Sequence, residues 1–432
     1  MIALINLIRI LFLSLLLAPL YFINKNKAVF CFLKFSGPSF LKLGQILSVR
    51  PDLVGEELAK ILSQFQDRLP PFSQKKVKNI LEKEFGNKFD RIFSNFEYAT
   101  ISSASIAQVH KATLANGNIV AVKILRPNIN KIISRDIKTL KMVIAIAKIF
   151  SKFLAKSLSN IAHVLNNVVK SELDLLLEGA NASKLKEDLQ DVEGIYVPKI
   201  FWQYSTNKIL VLEWIDGIAF SNKEAIAKSS FDKKQIAKNL VISYFTQVYG
   251  NGFFHGDMHP GNLFLMNDGK VALVDFGIVG KLDKNTRINV AEILIGFLDK
   301  DYERVAKLHI SGGLVPKNTS LEDLSLSCRK IGETIIGSDV KDISVAKLLA
   351  NLLMMTKRYN MEANPDLLLL QKTLLLVEGV GITLDPNLNM WELARPWVKE
   401  WAKKNISFDA KIRDSIFDII DLTRDFLRKI SK

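Results

Sequence analysis

Cysteine is nearly absent from this chain. Among 432 residues only Cys31 and Cys328 occur, and neither has metal-ligand spacing. A disulfide framework is therefore not expected, and the folded body belongs in a reducing compartment. Histidine is also scarce: of five, His255 and His259 lie together, while His110, His163 and His309 read as solvated or capping residues. No internal repeat and no low-complexity segment is present. The formal charge is +15, yet the lysines are spread along the chain and no basic helix is interleaved with aromatics. Nucleic acid is accordingly not an expected partner. The charge suits an anionic membrane surface, or else reflects a lysine-rich background.

What is there is a chain 48% hydrophobic and 24% charged, long enough for two lobes or two modest domains. Residues 1–23 are apolar except for Asn6, Arg9 and Ser14, with Lys25 and Lys27 following. The charge-free run at 10–23 is short of a usual bilayer crossing. A cleaved signal peptide is the rival reading, but Pro19 stands where a small-residue cleavage site would be. An uncleaved segment embedded in or crossing the bilayer is expected, with Lys25, Lys27 and Lys34 at the cytoplasmic headgroups. Pro19 should break its helical bonding near the end.

Further along, the pattern is helical over 36–67 and again over 74–85, after Pro70-Pro71. Residues 101–112 and 119–125 read as strands joined at an Asn116-Gly117 turn. A long helical stretch runs from 129 to about 186. Segments 196–199 and 208–214 read as further strands, and Gly217 ends that lobe. Residues 234–249 form a helix, and 289–429 are mostly helical. Within them 367–376 is densely apolar, but Gln371, Lys372 and Glu378 mark a core helix and not a membrane span. Strands with helices early and helices alone late predict an α+β architecture of two lobes with a cleft between them.

Two motifs carry chemistry. The chain reads F-F-H-G-D-M-H-P-G-N-L-F over 253–264 and V-A-L-V-D-F-G over 271–277, the two joined through an Asn267-Asp268-Gly269 turn. Asp257 and Asn262 are five positions apart, the spacing of a kinase catalytic loop, H-x-D-x-x-x-x-N followed by D-F-G. In such a set the Asp257 carboxylate orients the attacking hydroxyl. The amide oxygen of Asn262 and the carboxylate of Asp275 hold Mg²⁺, which prefers hard oxygen ligands. His255 braces the loop. An iron site built on His255, Asp257 and His259 would leave Asn262 and the Asp275-Phe276-Gly277 turn without work.

Lys123 closes V-A-V-K on a strand, which fixes an ammonium where it reaches the phosphates of ATP. Its partner should be an acid on a facing helix. Glu172 and Glu178 are six apart and lie on different helical faces, whereas Asp174 and Glu178, four apart, can share one. Glu178 is the expected partner because Gly179 and Ala180 beside it permit close approach to a strand. Glu172 then points elsewhere and Asp174 is ambiguous; a solvated charged face is the alternative. The loop of Ile101, Ser102, Ser103, Ala104, Ser105, Ile106, Ala107, Gln108 and Val109 stands where kinases place a glycine-rich phosphate cover, yet it contains no glycine. Ser and Ala restrict the backbone more than Gly, so nucleotide should be held differently. Lys42 and Gln45 share one helical face, expected to enter the cleft and meet Glu172 and Asp174.

Together these residues resemble the UbiB-type atypical kinase family over about residues 36–405. The resemblance rests on K-L-G-Q at 42–45, the Ala/Ser-rich loop at 102–107, V-A-V-K ending at Lys123, E-L-D at 172–174, H-G-D-M-H-P-G-N at 255–262 and D-F-G-I-V-G at 275–280. Late stretches at 369–381 and from Ala394 are also similar. It implies a bilobal protein-kinase-like fold: a membrane segment at 1–24, a helical K-x-G-Q extension at 25–95, an N-lobe at 96–216 and a mostly helical C-lobe at 217–432. It further implies a membrane-associated protein that uses ATP and Mg²⁺ in ubiquinone (coenzyme Q) synthesis. The K-x-G-Q extension disfavours protein substrates in the family, so ATPase or small-molecule kinase activity is expected. Implied partners are ATP, membrane lipid, prenylated phenolic quinone precursors and other ubiquinone-synthesis proteins, at a bacterial inner membrane with the lobes on the cytoplasmic side. Two departures stand out. Ser102 and Ser103 bear on nucleotide preference, and the chain stops at Lys432 where bacterial relatives often carry a hydrophobic hairpin, so attachment is expected through the N-terminal segment or a surface. Readings from other classes are a small-molecule phosphotransferase of the antibiotic- or choline-kinase type, which lacks the K-x-G-Q extension, and a nucleotide-gated scaffold without turnover.

Overall fold

The structure is a computed structural model that describes residues 2–48, 54–62, 64–65, 70–152, 156, 158–159, 162, 173–316, 318–336, 359 and 364–405. Two compact units are present. The first comprises Met1–Lys186, Val197–Asp216 and Val274–Ile278; the second comprises Glu187–Tyr196, Gly217–Leu273 and Val279–Lys432.

The first unit opens with helices α1 (Ile2–Ile23), α2 (Lys25–Ser36), α3 (Pro38–Ser48), α4 (Glu56–Leu62) and α5 (Gln74–Phe85). A sheet follows, built from β1 (Phe93–Phe96), β2 (Ser102–Ser103), β3 (Ala107–Leu114), β4 (Ile119–Leu125) and β6 (Ile209–Glu213), in the order β1-β3-β4-β6 with β2 paired to β3. The β3–β4 hairpin turns at Gly117, whose φ of 86° is one that glycine adopts without steric cost. Val77, Ile80 and Leu81 of α5 recur at helical spacing and pack with Val120, Val122 and Ile124 of β4 in one core. Side chains alternate across a strand, so Lys123 lies on the opposite face of the sheet from that core. Helices α6 (Ile129–Phe150) and α7 (Leu175–Asp188) complete the unit. The long helical stretch expected from 129 to about 186 is interrupted at Ser151, which turns to extended backbone at φ −156° and ψ 114°.

Helix α1 continues through Pro19 to Ile23; proline has no N–H, so the expected loss of one i to i−4 bond falls inside a helix that does not end there. Its polar residues anchor it. Asn6 is buried and donates to Asp136 Oδ1 at 3.1 Å and to Thr139 Oγ1 at 2.9 Å on α6. Ser39 of α3 donates to Asp136 Oδ2 at 2.6 Å, so one buried carboxylate ties α1, α3 and α6 together. Arg9 donates to the Ser36 carbonyl at 2.5 Å. Leu7 and Ile10 are buried, whereas Leu15, Leu16, Phe22 and Ile23 are exposed.

The second unit holds a four-stranded sheet, β5 (Ile195–Tyr196), β10 (Val271–Leu273), β9 (Leu263–Met266) and β7 (Gly217–Ala219) in that order, and the pair β8 (Phe253–His255) with β11 (Val279–Lys281). Its helices are α8 (Lys223–Lys228), α9 (Lys233–Phe245), α10 (Lys284–Leu298), α11 (Tyr302–Ser311), α12 (Leu321–Ile336), α13 (Pro365–Leu384) and α14 (Met390–Asn405). Helix α13 packs on α9, and the buried Tyr244 hydroxyl donates to the Leu370 carbonyl at 2.7 Å. By length and composition, α1 over Ile5–Ile23 and α13 are each apolar enough to cross a membrane.

Two histidines differ from expectation. His110 and His309 are buried and not solvated. His110 Nδ1 lies 3.1 Å from the Glu97 carbonyl and its Nε2 lies 2.8 Å from Gln108 Nε2. A neutral ring satisfies both contacts, donating to the first and accepting from the second. His163 lies outside the described residues.

Candidate active-site groups

In the first unit Lys123 Nζ donates to both oxygens of Glu178, at 2.7 and 2.9 Å, and to Asp275 Oδ1 at 3.1 Å. Lys123 and Glu178 are buried, while the Asp275 side chain is 46% exposed. Burial alone would lower the ammonium pKa, but the charges of Asp275 and Glu178 outweigh it and hold Lys123 well above the ordinary lysine range. Lys123 is therefore a fixed cation. Asp275 has φ 64°, a left-handed conformation uncommon outside glycine and one that Asp tolerates better than most residues.

Helix α7 supplies more than Glu178. Asn181, three residues on and so on a neighbouring surface, donates to the Phe276 carbonyl at 3.0 Å. It ties the Asp-Phe-Gly backbone to the helix that carries the Lys123 partner. A Cβ on Gly179 would lie 3.1 Å from Leu210 and from Trp202, so close packing on β6 rests there; Ala180 is exposed and takes no part. Asp174 is exposed and accepts from Leu177 N at 3.0 Å, capping the helix start. Glu172 lies outside the described residues.

The glycine-free loop is a tight β2–β3 hairpin, with Ser102 opposite Val109 and Ser103 opposite Gln108. Its tip closes through Ala104 N to Ala107 O at 2.8 Å, and Ser105 is buried. Arg126 clamps it, donating to the Ala104 carbonyl at 2.9 and 3.1 Å and to Ser103 Oγ at 3.0 Å, while its backbone N–H takes the Ile106 carbonyl. Gln108 Oε1 accepts from Phe72 N at 3.0 Å. Side-chain ties thus give this loop a defined shape.

In the K-x-G-Q helix α3, Lys42 is buried, and Gln45 Oε1 is buried without a hydrogen-bond partner among the described residues. Gly44 has its own reason to be there. Any Cβ at that position would collide with the ring of Phe65, which stacks on Phe30 at 4.4 Å between centroids.

The second unit holds the other group. Gln247, from a π-helical turn over Thr246–Asn251, accepts from His255 N at 2.9 Å. His255 is buried and its Nδ1 accepts from Asp257 N at 3.0 Å. Asn262 Nδ2 donates to the Asp257 carbonyl at 3.0 Å, which fixes its amide nitrogen on the loop backbone and turns Oδ1 away from it. His259 Nδ1 accepts from Gly261 N at 2.8 Å, and a Cβ on Gly261 would strike that ring. The Asp257 carboxylate has a partner not anticipated from the motif: Lys372 Nζ of α13 donates to Oδ1 at 2.8 Å. His259 Nε2 is 3.9 Å from Oδ2.

Asn181, Arg126 and Lys372 escaped the sequence reading. Asn181 and Arg126 left no signal beyond their nearness to motifs. Lys372 did, as a charge in a densely apolar helix, but it served only to argue against a membrane span.

The ABC1 atypical kinase-like domain matches residues 64–309 and the UbiB helical domain residues 328–389. The "Probable protein kinase UbiB" of Marinobacter nauticus is 40% identical over 378 residues, covering 86% of this chain and 69% of that protein. The protein of the same name from Pseudomonas fluorescens is 38% identical over 408 residues, covering 92% and 76%. A solved structure of Rv3197 with erythromycin, from Mycobacterium tuberculosis, aligns with TM-score 0.54 at 24% identity over 82% of this chain and 90% of the other; that likeness is one of fold. The chain has the protein-kinase-like fold and belongs to the UbiB family of atypical kinase-like proteins.

Proposed function

We propose that this chain uses Mg-ATP for phosphoryl transfer to a small molecule or to water, in support of ubiquinone synthesis at a bacterial inner membrane. The observation that carries the reading is the buried Lys123–Glu178 pair with Asp275 on the same ammonium, because phosphate binding requires a cation held in one place. Asp257, with its backbone fixed by His255 and Asn262, supplies the other requirement: a carboxylate to orient and deprotonate the acceptor. Asn262 Oδ1 and the exposed Asp275 carboxylate are oxygen ligands of the kind Mg²⁺ takes. On such oxygens a Mg²⁺ ion would neutralise charge on the phosphate oxygens. The clamped hairpin of residues 101–109 is the phosphate cover, and the K-x-G-Q helix restricts the acceptor to something smaller than a protein. The exposed apolar side of α1, followed by Lys25, Lys27 and Lys34, suits attachment to an anionic bilayer.

ATP hydrolysis by the purified protein, with and without anionic liposomes and a phenolic quinone precursor, tests this. Mg²⁺-dependent turnover that rises on either addition is expected. Nucleotide binding with no turnover under any of these conditions would favour a nucleotide-gated scaffold instead.

A further inference from the structure

Lys372 arrives at the catalytic loop from outside the kinase-like domain. It lies beyond residues 64–309, which match that domain, and within residues 328–389, which match the helical one. The loop H-G-D-M-H-P-G-N contains no lysine of its own. Yet Lys372 Nζ sits 2.8 Å from Asp257 Oδ1, with the two side chains 28% and 25% exposed.

The helix that carries it is held on several sides. Asn364 caps α13 by accepting from Asp366 N at 2.9 Å, and Pro365 begins the first turn. Tyr244 binds the Leu370 carbonyl, and Leu368, Leu370, Thr373 and Val377 are buried. The backbone is thus fixed before the lysine side chain reaches the carboxylate, so only its own rotamer freedom is left to lose. Asp257 then has its N–H on His255, its carbonyl on Asn262 and Oδ1 on Lys372. Its Oδ2 has the His259 ring at 3.9 Å, beyond hydrogen-bond range, and is the oxygen left to receive a proton.

We infer that Lys372 is a positioning residue for Asp257: the helical domain lends the catalytic loop a cation that fixes the carboxylate's orientation and selects Oδ2 as the working oxygen. The inference rests on the phosphoryl-transfer reading above and deepens it, since it gives the helical domain a direct part in the reaction. A structural brace would lower stability when removed; a positioning residue must act on turnover through Asp257 alone.

The test compares wild type, Lys372→Met, Lys372→Arg, Lys372→Ala and Asp257→Asn, each alone, with Lys372→Met also placed in the Asp257→Asn background. Misplacing a reacting group by about 1 Å costs on the order of 10²-fold in rate. Lys372→Met should therefore lose about that much kcat while nucleotide affinity and KM stay near wild type. Lys372→Arg should recover part of the loss, and added alkylammonium should partly rescue Lys372→Ala. In the Asp257→Asn background Lys372→Met should cost nothing further, because the two residues act as a unit. Unchanged kcat in Lys372→Met, or an additive loss in the double variant, would overturn the assignment. Should the wild type turn over no ATP, the phosphoryl-transfer reading fails by itself. The Lys372 assignment is then decided by a crystal structure of Lys372→Met: a rotated Asp257 carboxylate supports it, and an unmoved one rejects it.

Discussion

Asp257 and Asp275 are both carboxylates, but their surroundings separate their expected roles. Asp257 is anchored by two loop contacts and a lysine, so replacing its carboxylate by an amide keeps the shape and removes the proton acceptor. Asp257→Asn should keep nucleotide affinity and lose about 10²–10⁴-fold in turnover, measured by ATP hydrolysis beside a binding titration; retained turnover would discard its role as base. Asp275 is the more exposed, and its Oδ1 holds Lys123. Asp275→Asn should weaken nucleotide binding in Mg²⁺ far more than in its absence, and an unchanged Mg²⁺ dependence would point to another ligand. The buried histidines act on stability instead. Burial holds His110 and His309 below the ordinary imidazole value, about 6.5. A depressed folded pKa means that each stabilises fully above that value. The contribution is lost as pH falls, because the unfolded chain binds a proton that the folded one resists. Melting temperature should thus drop between pH 7 and pH 5, and His309→Gln should flatten part of that slope; equal slopes in both proteins would contradict it.

At the scale of elements, α1 and α3 share an anchor. Asp136 is 1% exposed and receives hydrogen bonds from Asn6, Ser39 and Arg135. Asn6→Ala removes one donor from a buried carboxylate, a change that costs about 1–3 kcal/mol, more than a surface substitution on an apolar helix would. Denaturant unfolding measures this, and a cost indistinguishable from zero would mean that α1 is not held through Asp136. The glycine-free hairpin of residues 101–109 makes a related point. Arg126, just past β4, and Phe72, whose N–H bonds Gln108 of the hairpin, tie it from outside, so its shape depends on long-range partners that a glycine-rich loop would not need.

For the molecule as a whole, attachment and chemistry are separable expectations. Removing residues 1–24 should release the protein from membranes in high salt while leaving ATP binding intact, followed by flotation and by nucleotide titration. Continued binding in high salt would move the anchor to another apolar surface. Asn6 is lost with the segment, so the truncated protein should also melt below the full chain and near Asn6→Ala.

Sequence alone determined the features that depend on a few neighbouring residues. The Asn116-Gly117 hairpin, the alternation that sets Lys123 apart from Val122 and Ile124, and the Asp257–Asn262 spacing all follow from periods and turn preferences acting within about ten positions. The family resemblance added the kinase-like fold, which the comparisons then established. The tertiary structure decided the pairs between distant segments. The expected Lys123–Glu178 pair spans 55 positions, and three that no motif pointed to span more: Asn181 reaches Phe276 across 95, Lys372 reaches Asp257 across 115, and Asn6 reaches Asp136 across 130. No local rule reaches so far. Which polar side chains meet depends on how helices and sheets pack their apolar faces, and a buried charge or amide must then find its partner wherever that packing brings one.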